Sequence, residues 1–285
     1  MTEENKDLLH NFIRQALTED VGDGDHTSLA TIPAGKQGKA RLIIKENGVL
    51  AGIHVADAIF KEVDSNLKTE IFIEDGREVK PGDIVLHVSG SIHSILVAER
   101  LVLNTMQRMS GIATTTRRIV NKLKNTSTKV LDTRKTTPNL RFLEKAAVKI
   151  GGGVNHRIGL YDMILIKDNH VDYAGGIEQA LSGAKDYLKK TNRNLHIEIE
   201  VRNIEELKQV IDAGGADRIL LDNFDYQTLK QAVELVNGRF ITEASGGITE
   251  ENVYEYAECG VDYISMGALT HSVKSLDMSL KATVE

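Results

Sequence analysis

Two adjacent cations, Arg134 and Lys135, lie between a short apolar run, Lys129-Val130-Leu131, and Pro138. The run reads as a strand and the proline as the first turn of a helix, so the cations occupy a strand-to-helix loop. In α/β chains such loops carry chemistry more often than other surface, and two cations there suit an anionic ligand. Polar or glycine-rich endings recur on the next five apolar runs. Lys167-Asp168-Asn169-His170 follows Met163–Ile166, and Glu198 and Glu200 lie in Ile197–Val201. Asp222-Asn223 follows Arg218–Leu221, Glu243-Ala244-Ser245-Gly246-Gly247 follows Phe240–Thr242, and Gly267-Ala268 follows Tyr263–Met266. Gly151-Gly152-Gly153-Val154-Asn155-His156-Arg157 lies between the first two runs. Any one of these has an ordinary explanation, such as a helix cap for Asp222-Asn223 or a tight turn for Gly246-Gly247. Such an ending on nearly every strand is what a ring of active-site loops looks like.

The chemistry follows from charge type. Arg134, Lys135, Arg157 and Lys167 can form one anionic pocket, with His156 as a neutral or cationic donor; arginine suits bidentate carboxylate or phosphate, and lysine acts as a point charge. Glu200 and Asp222, on neighbouring strands, can share a magnesium ion, which typically takes one or two carboxylates plus water and phosphate oxygens. Ser245-Gly246-Gly247 and Gly267-Ala268 follow the last two strands, where barrels commonly bind phosphate through backbone N–H groups. The endings therefore suggest a phosphorylated substrate with magnesium on one side and a carboxylate-bearing partner on the other. Other chemistries are absent from the sequence. No strand precedes Gly-x-Gly-x-x-Gly, and there is no phosphate-loop motif, His-Glu-x-x-His or Gly-x-Ser-x-Gly. The acidic stretch Glu19–Ser28 resembles a calcium loop, but Thr31 stands where the closing glutamate belongs, so it reads as a structured loop.

The elements that must position these residues fall into two patterns. From Thr128 onward, apolar runs of strand length alternate with helix-length segments at 138–150, 176–190, 204–213, 226–236 and 250–258, which implies a parallel sheet with right-handed crossovers. Six such units fit in about 150 residues, short of the ~250 of a full eight-unit barrel, which leaves an incomplete barrel or an open doubly wound sheet. The first half reads as α+β with short antiparallel strands. A helical pattern from about Ser94 to Lys124 joins the halves, with Ser110-Gly111 as its candidate break and the boundary near Gly111. No Pro/Gly/Ser linker separates them.

Composition narrows the classes. The 285 residues are 41% hydrophobic and 27% charged, enough for one large core or two smaller ones. With 35 Lys+Arg against 41 Asp+Glu and no tryptophan, a broad nucleic-acid surface is disfavoured. No apolar run approaches the ~18 residues of a membrane span, and the opening residues lack a secretory pattern. The single cysteine, Cys259, allows neither an internal disulfide nor a cysteine-built zinc site. The expectation is a soluble cytoplasmic protein that binds neither nucleic acid nor membrane.

Glu99–Asn104, Ser110–Thr114, Thr133–Pro138, Gly152–Arg157, Ile166–His170, Glu198–Val201, Leu220–Asn223, Glu243–Gly247 and Gly267–His271 occur in an order and spacing that closely resemble the quinolinate phosphoribosyltransferase family, also called carboxylating nicotinate-nucleotide pyrophosphorylases. The resemblance runs from about Glu19 to Ser272. It implies a pentosyltransferase that converts quinolinate and phosphoribosyl pyrophosphate into nicotinate mononucleotide, pyrophosphate and CO₂ with magnesium. It also implies an N-terminal α+β sandwich over residues 1–111, with the tail 272–285 as a candidate to pack back on it, and an incomplete α/β barrel of six to seven units over 112–271. Carried over residue by residue, Arg134, Lys135, His156, Arg157 and Lys167 bind the quinolinate carboxylates. Glu200 and Asp222 serve the magnesium-bound ribose pyrophosphate, and Ser245-Gly246-Gly247 with Gly267-Ala268 hold the 5′-phosphate. Arg100 reaches the site of an adjacent subunit, which implies a homodimer or a larger assembly. Three alternatives compete: a nicotinate phosphoribosyltransferase that releases no CO₂, a non-catalytic transport-associated paralogue, and a barrel lyase using Lys167 as a Schiff base.

Overall fold

Alternating apolar and polar residues in the first half form a small antiparallel sheet. The computed structural model describes residues 3–283. In chain order the elements are α1 (Glu3–Val21), α2 (His26–Thr31), β1 (Gln37–Ile44), β2 (Gly48–Val49), α3 (Ile53–Val63), β3 (Lys68–Ile71), β4 (Glu78–Val79), β5 (Ile84–Ser91) and α4 (Ile92–Leu123). They continue with β6 (Lys129–Leu131), α5 (Arg141–Gly151), β7 (Ile164–Ile166), α6 (Asp168–Ala174), α7 (Ile177–Thr191), β8 (Ile197–Val201), α8 (Ile204–Ala213), β9 (Arg218–Asp222), α9 (Tyr226–Val236), β10 (Ile241–Ser245), α10 (Val253–Ala257), β11 (Tyr263–Ser265), α11 (Ala268–His271) and β12 (Met278–Thr283).

The chain divides into two units. The first comprises the stretch up to Arg117, Thr136–Gly152 and the stretch from Leu269. Its four-stranded sheet has the order β12-β1-β5-β3, with all pairs antiparallel. Leu42, Ile44, Leu86 and Val88 on β1 and β5 are fully buried, as are Ile53, Ala56, Ile59 and Phe60 of α3. Burying the leucine, isoleucine, valine and phenylalanine side chains among these supplies roughly 1.5–3 kcal/mol each.

Ser110-Gly111 does not break the long helix, since α4 runs unbroken through it. Both residues serve close packing. Ser110 Oγ accepts from Ala51 N (2.9 Å) and donates to Ala51 O (3.1 Å). A Cβ at Gly111 would lie 2.3 Å from the Lys274 carbonyl oxygen, so the returning C-terminal segment requires glycine there. Pro138 also departs from expectation: it lies in a turn ahead of α5, because Asn139 adopts a left-handed conformation (φ 64°) that a helix cannot continue through. The acidic stretch ends at α2, where Asp25 caps Ser28 N at 3.1 Å. The Ser28 hydroxyl holds that carboxyl below its ordinary range. Asp25 is thereby a helix cap, which is the structured reading of that loop.

The second unit comprises Arg118–Lys135 and Gly153–Ala268. Its six strands are parallel, in the order β6-β11-β10-β9-β8-β7. A doubly wound sheet reverses direction part-way along its order. Here the order runs monotonically from β7 to β11 and returns to β6, which is the singly wound order of a barrel left open between β6 and β7. Val154 adds a one-residue parallel bridge to Leu131 on the free side of β6. The structure thus distinguishes the two architectures that the sequence left open, in favour of the incomplete barrel. Among the described residues no helix is long and apolar enough to cross a membrane.

Candidate active site

Side chains alternate faces along a strand, so residues two apart share a face. In the second unit this rule puts Glu198 and Glu200 of β8, Arg218 and Asp222 of β9, and Glu243 and Ser245 of β10 on one side. The pairing register sets Glu198 beside Arg218, and Ser245 beside Asp222. The result is two polar levels, one deep in the sheet and one at its carboxyl end.

At the carboxyl end, Lys167 Nζ lies 2.7 Å from Glu200 Oε2, a residue only 8% exposed. Asp222 sits at the end of the neighbouring strand and is half-buried. Burial, followed by the charge of Glu200, pushes its carboxyl above the ordinary value. The two carboxylates therefore feel each other, and a divalent cation at this strand end would relieve the repulsion. Asn223 Nδ2 donates to Asp222 Oδ2 at 2.6 Å, and Asn223 N donates to Ser245 O at 2.8 Å. These contacts tie the end of β9 to the glycine turn after β10. Gly246 (φ 96°) and Gly247 (φ 61°) are both left-handed, and a Cβ at Gly246 would lie 2.2 Å from Asn223 Oδ1. No other residue fits there without moving Asn223. Gly267 and Ala268 follow β11 at the entry to α11.

The cationic side is built on β6 and the segment beside it. Arg134 and Lys135 are exposed on the loop after β6, where Thr133 Oγ1 accepts from Lys135 N at 3.0 Å. Val154 N donates to Val130 O (2.9 Å) and Asp132 N to Val154 O (3.2 Å). This zips residues 154–157 onto β6. Burial, and then the charge of Arg134, push the Arg157 guanidinium below its ordinary value. The two arginines therefore crowd one another, which is how a site for an anion is prepared.

His156 is placed differently from a substrate donor. Its side chain is 7% exposed, and Nδ1 accepts from Arg157 N at 2.7 Å, so the ring proton lies on Nε2. Nε2 faces Glu198 Oε2 at 3.0 Å and Glu243 Oε2 at 3.5 Å. Arg218 Nη1 meets Glu243 Oε2 at 2.9 Å and stacks over Tyr263 at 4.7 Å. This is the deep level. Burial raises the carboxyl of Glu198, and burial with the Glu198 charge pushes that of Glu243 up to about 7. His156, Glu198 and Glu243 could by geometry hold a metal. Arg218 already supplies positive charge at that place, and Glu198 and Glu243 are 0% exposed. At the carboxyl end of the strands the carboxylate pair beside exposed Lys167 is Glu200 and Asp222.

The structure thus gathers Lys167, Glu200, Asp222, Ser245, Gly246 and Gly247 at adjoining strand ends, and pairs Arg134 with Arg157. It turns Lys167 toward Glu200 and His156 inward. Arg100 is exposed on α4, in the first unit. Glu243 and Arg218 are the residues that sequence reasoning passed over. The signal was available, since period two along β9 and β10 puts both on the face of Asp222 and Ser245.

The quinolinate phosphoribosyl transferase C-terminal domain matches residues 112–281, and the N-terminal domain of the same name matches residues 25–110. The chain belongs to the quinolinate phosphoribosyltransferase family. Among family members, the chloroplastic carboxylating nicotinate-nucleotide pyrophosphorylase of Arabidopsis thaliana is 49% identical, covering 97% of this chain and 83% of that one. The probable carboxylating nicotinate-nucleotide pyrophosphorylase of Bacillus subtilis is 42% identical, over 98% and 93%. The solved nicotinate-nucleotide pyrophosphorylase of Francisella tularensis superposes with a TM-score of 0.91 at 38% identity, over 97% of this chain and 96% of that one.

Proposed function

We propose that this chain transfers the phosphoribosyl group of phosphoribosyl pyrophosphate to the ring nitrogen of quinolinate, releasing pyrophosphate and CO₂ and forming nicotinate mononucleotide for NAD synthesis. The observation that carries the reading is the division of charge on one set of strand ends: crowded arginines at β6, and a carboxylate pair with Lys167 at β7–β9. A diacid and a pyrophosphate need those two environments at once. Membership of the family supports the same pair of substrates.

Arg134, Lys135 and Arg157 hold the two carboxylates of the pyridine diacid. Bidentate arginine contacts fix the ring in one plane, with its nitrogen facing the anomeric carbon. The turn Ser245-Gly246-Gly247 and the segment Gly267-Ala268 offer backbone N–H groups to the 5′-phosphate. Glu200 and Asp222 hold magnesium; when bound, the ion supplies charge neutralisation for the leaving pyrophosphate. Lys167 holds Glu200 in place until the substrates arrive and adds a positive charge near the leaving group. The nitrogen–carbon bond forms as the carbon–oxygen bond to pyrophosphate breaks. The carboxylate beside the now positive nitrogen then leaves as CO₂. Its electron pair rests on the ring carbon next to that nitrogen, and a proton takes its place. No covalent enzyme intermediate is needed, so the protein acts by orientation and electrostatic stabilisation.

Incubation with quinolinate, phosphoribosyl pyrophosphate and magnesium is expected to give nicotinate mononucleotide and CO₂ in equal amounts. Use of nicotinate with no CO₂ release would contradict the proposal. The reading extends to a homodimer in which Arg100 serves the neighbouring site. Inactive Arg100→Ala and inactive Arg134→Ala subunits, once exchanged, are then expected to regain activity, because one site per mixed dimer is intact. No recovery after confirmed exchange would remove Arg100 from the site.

A further inference from the structure

Two of the ligand loops proposed above leave neighbouring strands. Residues 133–135 follow β6 and Gly267-Ala268 follows β11, and these strands pair in parallel. The chain then passes from the second unit into the first, between Lys135 and Thr136 and again between Ala268 and Leu269. Pairing of β6 with β11 fixes the two loops at their starts. Their far ends are fixed within the first unit, by side chains of α4 and α5.

One guanidinium meets both continuations. Arg108 Nη2 donates to Thr137 Oγ1 at 2.9 Å and to Thr270 O at 3.0 Å. Its Nε donates to Glu144 Oε1 at 2.7 Å, and Glu144 is 1% exposed. The other oxygen of that carboxylate, Oε2, accepts from Thr137 N at 3.2 Å. Thr137 is thus held at its hydroxyl by Arg108 and at its main chain by Glu144. Arg141 Nε donates to Thr136 Oγ1 at 2.9 Å, which ties the preceding residue to α5 as well. Thr137 lies two residues beyond Lys135, and Thr270 two beyond Ala268. Residues 108, 137, 144 and 270 all belong to the first unit. Replacing a buried ion pair by apolar side chains of similar volume is often neutral or stabilising, so packing alone does not call for charge here. A guanidinium does what an apolar side chain cannot, because its planar fork sets several acceptors in fixed directions.

We infer that Arg108, seated by Glu144, is a positioning residue that clamps the far ends of both ligand loops, so that the diacid site and the 5′-phosphate site keep one spacing. The inference rests on the function proposed above and deepens it. The diacid nitrogen must face the anomeric carbon of a sugar whose phosphate is held by the other loop. A misplacement of about 1 Å can cost ~10²-fold in rate, so the spacing of the two loops matters to the reaction. Thr137 carries the arm of the clamp to the diacid loop, and the Thr270 carbonyl carries the arm to the phosphate loop.

Steady-state kinetics of three variants test the clamp, with KM measured for quinolinate and for phosphoribosyl pyrophosphate in the presence of magnesium. Thr137→Val removes the hydroxyl and keeps the shape. It is expected to raise KM for quinolinate ~10-fold, the worth of one hydrogen bond to a charged group. KM for phosphoribosyl pyrophosphate is expected to stay within about threefold, because the Thr270 arm is intact. Thr137→Ser restores the hydroxyl and is expected to bring the quinolinate value back to within about threefold of wild type. Arg108→Met releases both arms and is expected to raise both KM values ~10-fold. If Arg108→Met does not fold because Glu144 is left buried without its cation, Arg108→Met combined with Glu144→Gln removes that charge and takes its place. If neither folds, the threonine variants decide alone. An unchanged quinolinate KM in Thr137→Val, a rise in both KM values there, or a failure of serine to restore the wild-type value would overturn the clamp. So would a rise in only one KM in Arg108→Met. The wild-type protein is run alongside: if it forms no nicotinate mononucleotide, the proposed function fails, whereas an unchanged Thr137→Val in an active enzyme rejects the clamp alone.

Discussion

Glu198 and Glu200 lie two residues apart on one strand and on one face, and they do different work. Glu200, at the carboxyl end of β8, meets the exposed cation Lys167 and shares its field with Asp222. Glu198, one step deeper, meets His156 and shares its field with Glu243, with no water-accessible surface. The chemical group is the same at both positions. Depth in the barrel decides whether it remains open to a cation and a substrate or becomes part of the frame. The lower pair is held by Arg218 and the buried His156 ring, which do not leave, whereas the upper pair is partnered by a lysine at the rim that substrates can approach.

The largest effect is expected at the upper pair. Glu200→Gln should lower kcat/KM by ~10³-fold, as for a lost pre-organised charge, with the melting temperature shifted by only about 2 °C. A loss of activity that merely followed a loss of stability would erase the distinction between the levels. Arg134→Ala should lower activity by ~10²-fold or more, because it removes one of two crowded donors. Near-wild-type turnover would remove it from the anionic pocket.

The smallest effect, and the most diagnostic of the lower pair, is on the pH dependence of stability. The Glu243 carboxyl is pushed from 4.5 up to about 7, so between those values the folded protein holds a proton that the unfolded chain has released. Its contribution to stability is full below about 4.5 and is lost as pH rises through about 7. Glu243→Gln should therefore flatten the fall in melting temperature across that window. An unchanged slope would mean that Glu243 does not titrate there.

The alternation of strands and helices after Thr128, and the polar residues at their ends, were legible in the sequence because period two and period 3.6 are local signals. The barrel order was not, since it depends on which strands pair across the unit. Glu243 shows how a short error in a boundary hides a role. With the strand ended at Thr242 it reads as part of a loop, but β10 continues to Ser245 and turns Glu243 inward. Ser110-Gly111 looked like a helix break because the backbone of Ala51 and Lys274, which they accommodate, is remote in the chain. His156 was legible as a polar residue beside an arginine. Its inward orientation depends on Glu198, more than forty residues away, and so is fixed only by tertiary structure.

The measurement that bears most directly on the difference between the two levels is calorimetric binding of phosphoribosyl pyrophosphate with magnesium to Glu198→Gln and Glu200→Gln. Affinity is expected to fall ~10-fold or more for Glu200→Gln and to stay within about threefold for Glu198→Gln, because only the upper carboxylate serves the bound cation. Equal losses in both variants, or a larger loss at Glu198, would contradict the division of labour between them.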